Sequence, residues 1–172
     1  DELGIQMPAS KEPLLIGRLH KRLSALGLTD IEDYRRYLHE SGAEAGERQA
    51  LIDVVTTNTT SFFREPVQFE RLLQHLPALM AHAQTSRGAS RVHAWSAGCS
   101  SGEEVYTLAM VFEEFCRKNP GTEYRILATD VSSRVLDLAR LGVYRCDALC
   151  EVPAELRKRY FRPCRDASQA VE

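Results

Sequence analysis

Between residues 13 and 26 the apolar side chains Leu14, Leu15, Leu19, Leu23 and Leu26 recur three and four positions apart, with Arg18, Lys21 and Arg22 on the other side. That period predicts an amphipathic helix with a basic outer face, stopped by Gly27. A second helix is predicted to about residue 39, capped by Thr29 or Asp30, with Ile31, Tyr34 and Leu38 inward and Ser41-Gly42 at its end. A third covers about 47–55. The run Thr56-Thr57-Asn58-Thr59-Thr60 then reads as a loop, because Thr and Asn side chains satisfy backbone groups locally and compete with helix. Pro66 suits the first turn of a fourth helix reaching about residue 83, with Phe69, Leu72, Leu73 and Leu76 as its buried stripe. A kink or break is expected at Pro77, and residues 84–90 read as a linker.

Downstream the pattern changes character. Residues 92–97 read as a strand that runs into Gly98-Cys99-Ser100-Ser101-Gly102-Glu103-Glu104. A helix follows with Val105, Leu108, Ala109, Val111, Phe112 and Phe115 inward, ended by Asn119-Pro120-Gly121. Residues 124–129 form a second predicted strand closed by Asp130, and Ser132 or Ser133 caps a helix to about residue 141. Strand, glycine loop, helix, strand, acid, helix is a βαβα unit, which implies a parallel sheet with a ligand at the carboxyl ends of its strands. A last helix is expected over 153–161, and residues 162–172 show no core pattern.

Composition narrows the class. With 172 residues, 44% hydrophobic and 27% charged, the chain has ordinary globular composition and material for one medium core or two small ones. A formal net charge of -2 argues against general nucleic-acid binding. No apolar run is long enough for a membrane span, and the first residues lack the features of a signal peptide. The reading is a cytoplasmic protein. The 5 cysteines form no CxxC pair, which points to reduced thiols rather than zinc or redox chemistry, and the 5 histidines share no spacing that suggests a metal.

The loops carry the chemistry. Asp130 stands where a carboxylate can accept hydrogen bonds from both hydroxyls of a ribose, and the glycines let backbone approach a ligand. Glu103 and Glu104 sharpen the choice. Two carboxylates in the first turn would repel a pyrophosphate, whereas they suit a ligand with an ammonium and a sulfonium. This favours S-adenosylmethionine over NAD, although acids in a first turn also serve as plain helix capping.

Three stretches carry a specific resemblance: residues 56–65 (TTNTTSFFRE), residues 95–106 (WSAGCSSGEEVY) and residues 128–131 (ATDV). Weaker matches at 22–28 and 139–145 fall in the same order. Together they resemble the chemoreceptor glutamate O-methyltransferases, the CheR family, over roughly residues 13 to 162. The resemblance implies a small all-α amino-terminal domain, taken with its connecting loop as 1–65, followed over 66–172 by an incomplete S-adenosylmethionine-dependent methyltransferase domain of Rossmann-like α/β fold. The implied activity is methylation of glutamate side chains on chemotaxis receptors, yielding S-adenosylhomocysteine. By motif position Asn58, Thr60 and Arg64 would reach the cofactor, Gly98 would line its pocket, Glu104 would meet the methionyl ammonium and Asp130 the ribose. The catalytic arginine falls on Arg64.

A glutamate carboxylate is already ionised near neutral pH and the sulfonium is already activated, so the implied reaction needs alignment rather than a base or metal. The implied partner is the cytoplasmic helical region of the receptors, met by the basic face Arg18, Lys21 and Arg22, with Arg35 and Arg36 as possible additions. Other readings of the same residues stand beside these. Arg64 can cap or salt-bridge the helix after it, Asn58 and Thr60 can stabilise their loop, Phe62 and Phe63 fit core packing, and the basic face can be merely solvated. The family's catalytic domain continues further, so the chain is expected to be a fragment, the ordered part of a longer protein, or one half of a pair that completes its sheet. A non-catalytic module that binds an S-adenosyl ligand or a receptor is the alternative function. An NAD-linked oxidoreductase is disfavoured by the paired acids.

Overall fold

The computed structural model describes residues 8–40, 44–82, 90–164 and 168–171, and its contacts divide the chain into Asp1–Thr57 and Asn58–Glu172. The loop 58–65, grouped with the helical part in the sequence reading, belongs by its contacts to the second unit.

The first unit has three helices: α1 (Glu12–Leu26), preceded by a 3-10 turn, α2 (Ile31–Glu40) and α3 (Glu44–Val55). Gly27 ends α1 in the left-handed region, and its amide reaches back to the last turn. Asp30 caps α2, its carboxylate accepting from the Asp33 amide at 2.8 Å. The expected stop at Ser41-Gly42 lies outside the described residues. Leu23 and Tyr34 are buried as the helical period requires, but Leu14 and Ile31, expected inward, are about half exposed. Both sit in the first turns of their helices.

At the centre of this unit is a polar knot. Glu47 is 5% exposed and accepts from Arg22 Nε at 2.9 Å, from Arg22 Nη2 and from the Tyr34 hydroxyl at 2.7 Å. Arg22 is thus turned onto α3, and Arg18 donates to the Thr56 carbonyl at 2.8 Å. Arg35 and Arg36 pair with Glu32 and Asp33 on their own helix. The basic face read from the helical period is therefore largely used internally, with Lys21 exposed. The hydrogen bonds from Arg22, ahead of the opposing cost of burial, hold the Glu47 carboxyl below the usual carboxylate range. A depressed folded-state value contributes stability above the ordinary glutamate range and loses it as pH falls through the folded value. Glu47→Gln is expected to cost about 2 kcal/mol at pH 7 and to flatten the loss of helical signal below about pH 4. Urea titrations followed by circular dichroism at pH 7 and pH 3 check it, and an unchanged pH 7 midpoint would remove the knot from the stability account.

The second unit starts with its loop and α4 (Pro66–His82), then β1 (Ser90–Ala97), α5 (Glu103–Lys118), β2 (Thr122–Thr129), α6 (Ser133–Leu141), β3 (Val143–Arg145), α7 (Ala154–Tyr160), β4 (Phe161–Pro163) and β5 (Ser168–Val171). The expected linker 84–90 lies outside the described residues except for Ser90, which opens β1. β1 and β2 pair in parallel from Ser90↔Thr122 to Ala97↔Thr129, the predicted βαβα unit. Their Val92, Ala94, Tyr124 and Ile126 pack onto Phe69 and Leu76 of α4 and Val111 and Phe112 of α5. On the other face Trp95 and Leu127, paired in register, are 67% and 61% exposed. The alternation of a strand forces that outcome when only one face is covered by helices.

Several expectations change here. α4 runs unbroken through Pro77, which is exposed, although its ring removes the amide that would bond the Leu73 carbonyl. Leu73 is 43% exposed and Met80 takes the buried position instead. α5 buries two faces, so Met110 and Thr107 are enclosed along with the predicted Val111 and Phe112. The segment after α7 is no featureless end. Phe161 leaves the helix for extended backbone and opens β4, and β3, β5 and β4 form a three-stranded antiparallel sheet. Strands of three or four residues are too short to show a period in sequence; here Phe161 and Val171 anchor them on a cluster with Phe62, Met110, Tyr144 and Leu149.

No described helix is long and apolar enough to cross a membrane. The five cysteines are free thiols, and among the described residues no three His, Cys, Asp or Glu side chains gather as a metal site.

Candidate active site

The glycine loop is built from the strand ends outward. Beyond Ala97 the chain turns at Gly98 (φ 78°), and the amides of Gly98 and Cys99 both donate to the Thr129 carbonyl, at 2.8 and 2.9 Å. Ser100 is a non-glycine residue at φ 50°, and Gly102 at φ 97° starts α5. Backbone held in this sparsely populated region marks a loop fixed by its surroundings. The Ser100 amide donates to Asp130 Oδ2 at 2.8 Å and the Ser132 amide to Asp130 Oδ1 at 2.9 Å. One carboxylate thus ties the two strand ends together. The predicted serine cap of α6 is not made: Ser132 occupies the cap position, yet its fully buried hydroxyl makes no hydrogen bond among the described residues.

Glu104 projects from the first turn of α5 into solvent, and the buried Ser96 hydroxyl donates to its Oε1 at 2.6 Å. Glu103 turns the other way and accepts from the Ser101 hydroxyl at 2.7 Å. Of the two adjacent acids, Glu104 is the exposed one and Glu103 the buried one. Cys99 is 1% exposed, and burial, then the nearby Asp130 charge, pushes its thiol up, so it stays protonated and is no nucleophile.

The second wall is the loop 58–65. Phe62 is completely buried and Phe63 packs against Phe69, which settles both rings as core. The Phe63 amide donates to the Thr107 hydroxyl at 3.1 Å. Phe63 and Glu65 lie at φ 51° and 56°, so the residue between them is delivered by constrained backbone. That residue is Arg64, whose exposed guanidinium donates to the Thr59 carbonyl at 3.0 Å. The Ser100 hydroxyl reaches the Asn58 carbonyl at 3.2 Å and joins this loop to the glycine loop.

Between the walls is a cleft of about 90 Å3 lined by Thr59, Thr60, Ser61, Arg64, Phe69, Gly98 and Glu104. Four of the six residues singled out from sequence therefore share one cavity. Asn58 and Asp130 do not line it; both bond Ser100 in the neighbouring glycine loop. Ligand pockets for drug-sized molecules run from about 300 Å3, so this cleft has room for only a part of such a molecule. The donor set suits an amino-acid end. A Cβ on Gly98 would meet nothing within 4 Å, leaving open space there, and a carboxylate and a guanidinium are both among the lining groups. Ser96 and Ser100 carry no signal in a single sequence beyond being small polar residues beside the glycine loop, and their part emerges only from the bonds they make.

Comparison with known proteins identifies the family. The family model for the CheR methyltransferase all-alpha domain matches residues 1–56 and that for the CheR methyltransferase SAM binding domain matches residues 58–172. A chemotaxis protein methyltransferase of Escherichia coli K12 is 39% identical over 92% of this chain and 51% of its own length. One from Borreliella burgdorferi is 36% identical over 96% of this chain and 59% of its own. A probable chemotaxis protein methyltransferase of Rhizobium etli is 37% identical over 93% and 59%. The chain spans about half the length of the curated relatives it matches.

Proposed function

The chain belongs to the CheR methyltransferase family, whose domain over residues 58–172 binds S-adenosylmethionine, and on that premise we propose that it serves the methylation of glutamate side chains on chemotaxis receptors. The observation that carries the reading is the single cleft that Arg64 and Glu104 line together with Thr60 and Gly98. Bound S-adenosylmethionine supplies an activated methyl group on sulfur. Glu104, held by Ser96, takes the methionyl ammonium, and the Asp130 carboxylate takes the ribose hydroxyls. Thr60 and Asn58 close the same end from the facing loop.

Arg64 orients the receptor carboxylate through paired guanidinium hydrogen bonds. No base is assigned, because the acceptor is ionised already. The reading places the protein in the cytoplasm, acting on the cytoplasmic helical region of receptors. On the helical unit the exposed Lys21 makes that contact and Arg18, bonded to the Thr56 carbonyl, adds its positive field, while the charge of Arg22 is offset by Glu47.

The test is transfer of labelled methyl from S-adenosylmethionine to a receptor cytoplasmic fragment, read as base-labile ester that releases methanol. Arg64→Lys keeps the charge but loses the planar fork, and it is expected to lower the transfer rate about tenfold and, because Arg64 also lines the cofactor cleft, to weaken S-adenosylhomocysteine binding by a smaller factor. Receptor binding without any ester formation would replace the enzyme reading by a non-catalytic receptor-binding module. Equal rates for wild type and the Arg64→Lys variant would take the guanidinium out of substrate alignment.

A further inference from the structure

Tyr144 stands in the middle of β3, outside both loops that line the cleft, and is 6% exposed. Its hydroxyl donates to the Ser101 carbonyl at 2.7 Å, the backbone group between Ser100, whose amide is bound by Asp130, and Gly102. Its ring meets Phe62 edge-on with centroids 4.9 Å apart and planes at 80°. Phe62 lies in the loop that carries Asn58, Thr60 and Arg64. One side chain thus touches both walls of the site at once.

We propose that Tyr144 is a positioning residue that holds the glycine loop and the loop 58–65 in a single cofactor-ready geometry, a role that rests on the cofactor reading above. The hydroxyl fixes the Ser101 carbonyl, and through it the direction of the Ser100 amide toward Asp130. The ring fixes Phe62, and through it the constrained segment that presents Arg64. Burial keeps the phenol protonated far above neutral pH, so it remains a donor under all working conditions. The support comes from the small antiparallel sheet, since β5 pairs with both β3 and β4 and Phe161 of β4 also packs edge-on against Phe62, centroids 5.5 Å apart. This sheet is the part of the fold that the sequence did not announce, and it is what braces the site from behind.

The test is calorimetric titration of the chain with S-adenosylhomocysteine, well below its unfolding temperature, for wild type, Tyr144→Phe and Tyr106→Phe. Tyr144→Phe keeps the ring on Phe62 and removes only the bond to Ser101. Tyr106→Phe removes a neighbouring hydroxyl that donates to the Ala139 carbonyl at 2.8 Å, a bond that ends on α6 rather than on either loop. Both variants are expected to lower the thermal midpoint to a similar extent, and only Tyr144→Phe is expected to weaken binding, by about fivefold. Wild-type affinity in Tyr144→Phe, or equal weakening in Tyr106→Phe, overturns the positioning role while leaving the cofactor reading intact. A folded wild type that binds no S-adenosylhomocysteine overturns both.

Discussion

With alanine at position 130, S-adenosylhomocysteine is expected to bind about 100-fold more weakly than to the wild-type chain. The carboxylate is already engaged before any ligand arrives. Asp130 accepts the Ser100 and Ser132 amides at 2.8 and 2.9 Å, one on each oxygen. Each carboxylate oxygen has a further lone pair for a ribose hydroxyl. A hydrogen bond to a charged acceptor contributes about 1.5–3 kcal/mol, so losing two such bonds, partly replaced by water, costs about 3 kcal/mol. The Ser100 amide also loses its partner, which loosens the glycine loop in the free protein. Asp130→Asn keeps one acceptor oxygen and is expected to fall between the two. Calorimetric titration reads the effect, with circular dichroism to show that the variant is folded. A folded Asp130→Ala that binds within about threefold of wild type would place the ribose elsewhere.

Gly102→Ala is expected to destabilise the second unit by about 3 kcal/mol, through two causes that act together. At φ 97° an L side chain is strained wherever it points. The added Cβ would also lie 2.9 Å from Ala139 Cβ, 2.9 Å from the Tyr144 hydroxyl and 3.2 Å from the Ala139 Cα. The tyrosine oxygen is the end of a side chain, but Ala139 is helix backbone in α6 and cannot swing aside. Relief would require α6 to move away from the start of α5, or the loop to give up its bond to Asp130. A drop in the thermal midpoint of about 10 °C follows for a unit of this size. A midpoint within about 2 °C of wild type would show that α6 yields without cost. Gly98 is the contrast: it shares the left-handed conformation, but a Cβ there meets nothing within 4 Å. The two glycines of one motif are thus required for different reasons, backbone conformation alone at the first and close packing in addition at the second.

How far the site was legible can be followed residue by residue. The order of strand, glycine loop, helix, strand and Asp130 was readable because each element announces itself locally, and the parallel pairing of β1 with β2 follows from the crossover helix. Thr60, Arg64, Gly98 and Glu104 were picked from motifs 30 or more residues apart, and the fold gathers them at one cleft. The relation of Glu103 to Glu104 was not legible. Both looked like first-turn acids, and a turn of about 100° per residue sends one inward to Ser101 and the other to Ser96 and the open site. The basic face of α1 was read correctly as a stripe and incorrectly as free surface. Helical period tells which residues share a side; it does not tell that α3 brings a buried Glu47 to meet Arg22.

By itself the sequence determined what is local or repeated: the helices of the first unit, the βαβα order, the loop between Thr56 and Glu65, and the acids and glycines at the strand ends. These follow from side-chain periodicity, caps and turn chemistry, each expressed within a few residues. Tertiary structure alone decided the antiparallel sheet of β3, β5 and β4, the enclosure of α5 on two faces, and the bonds of Ser96, Ser100 and Tyr144 to the site. In each of these the deciding partner lies far away along the chain or in a strand too short to carry a period. The free energy that fixes it comes from burial and hydrogen bonds formed only when the chain has folded.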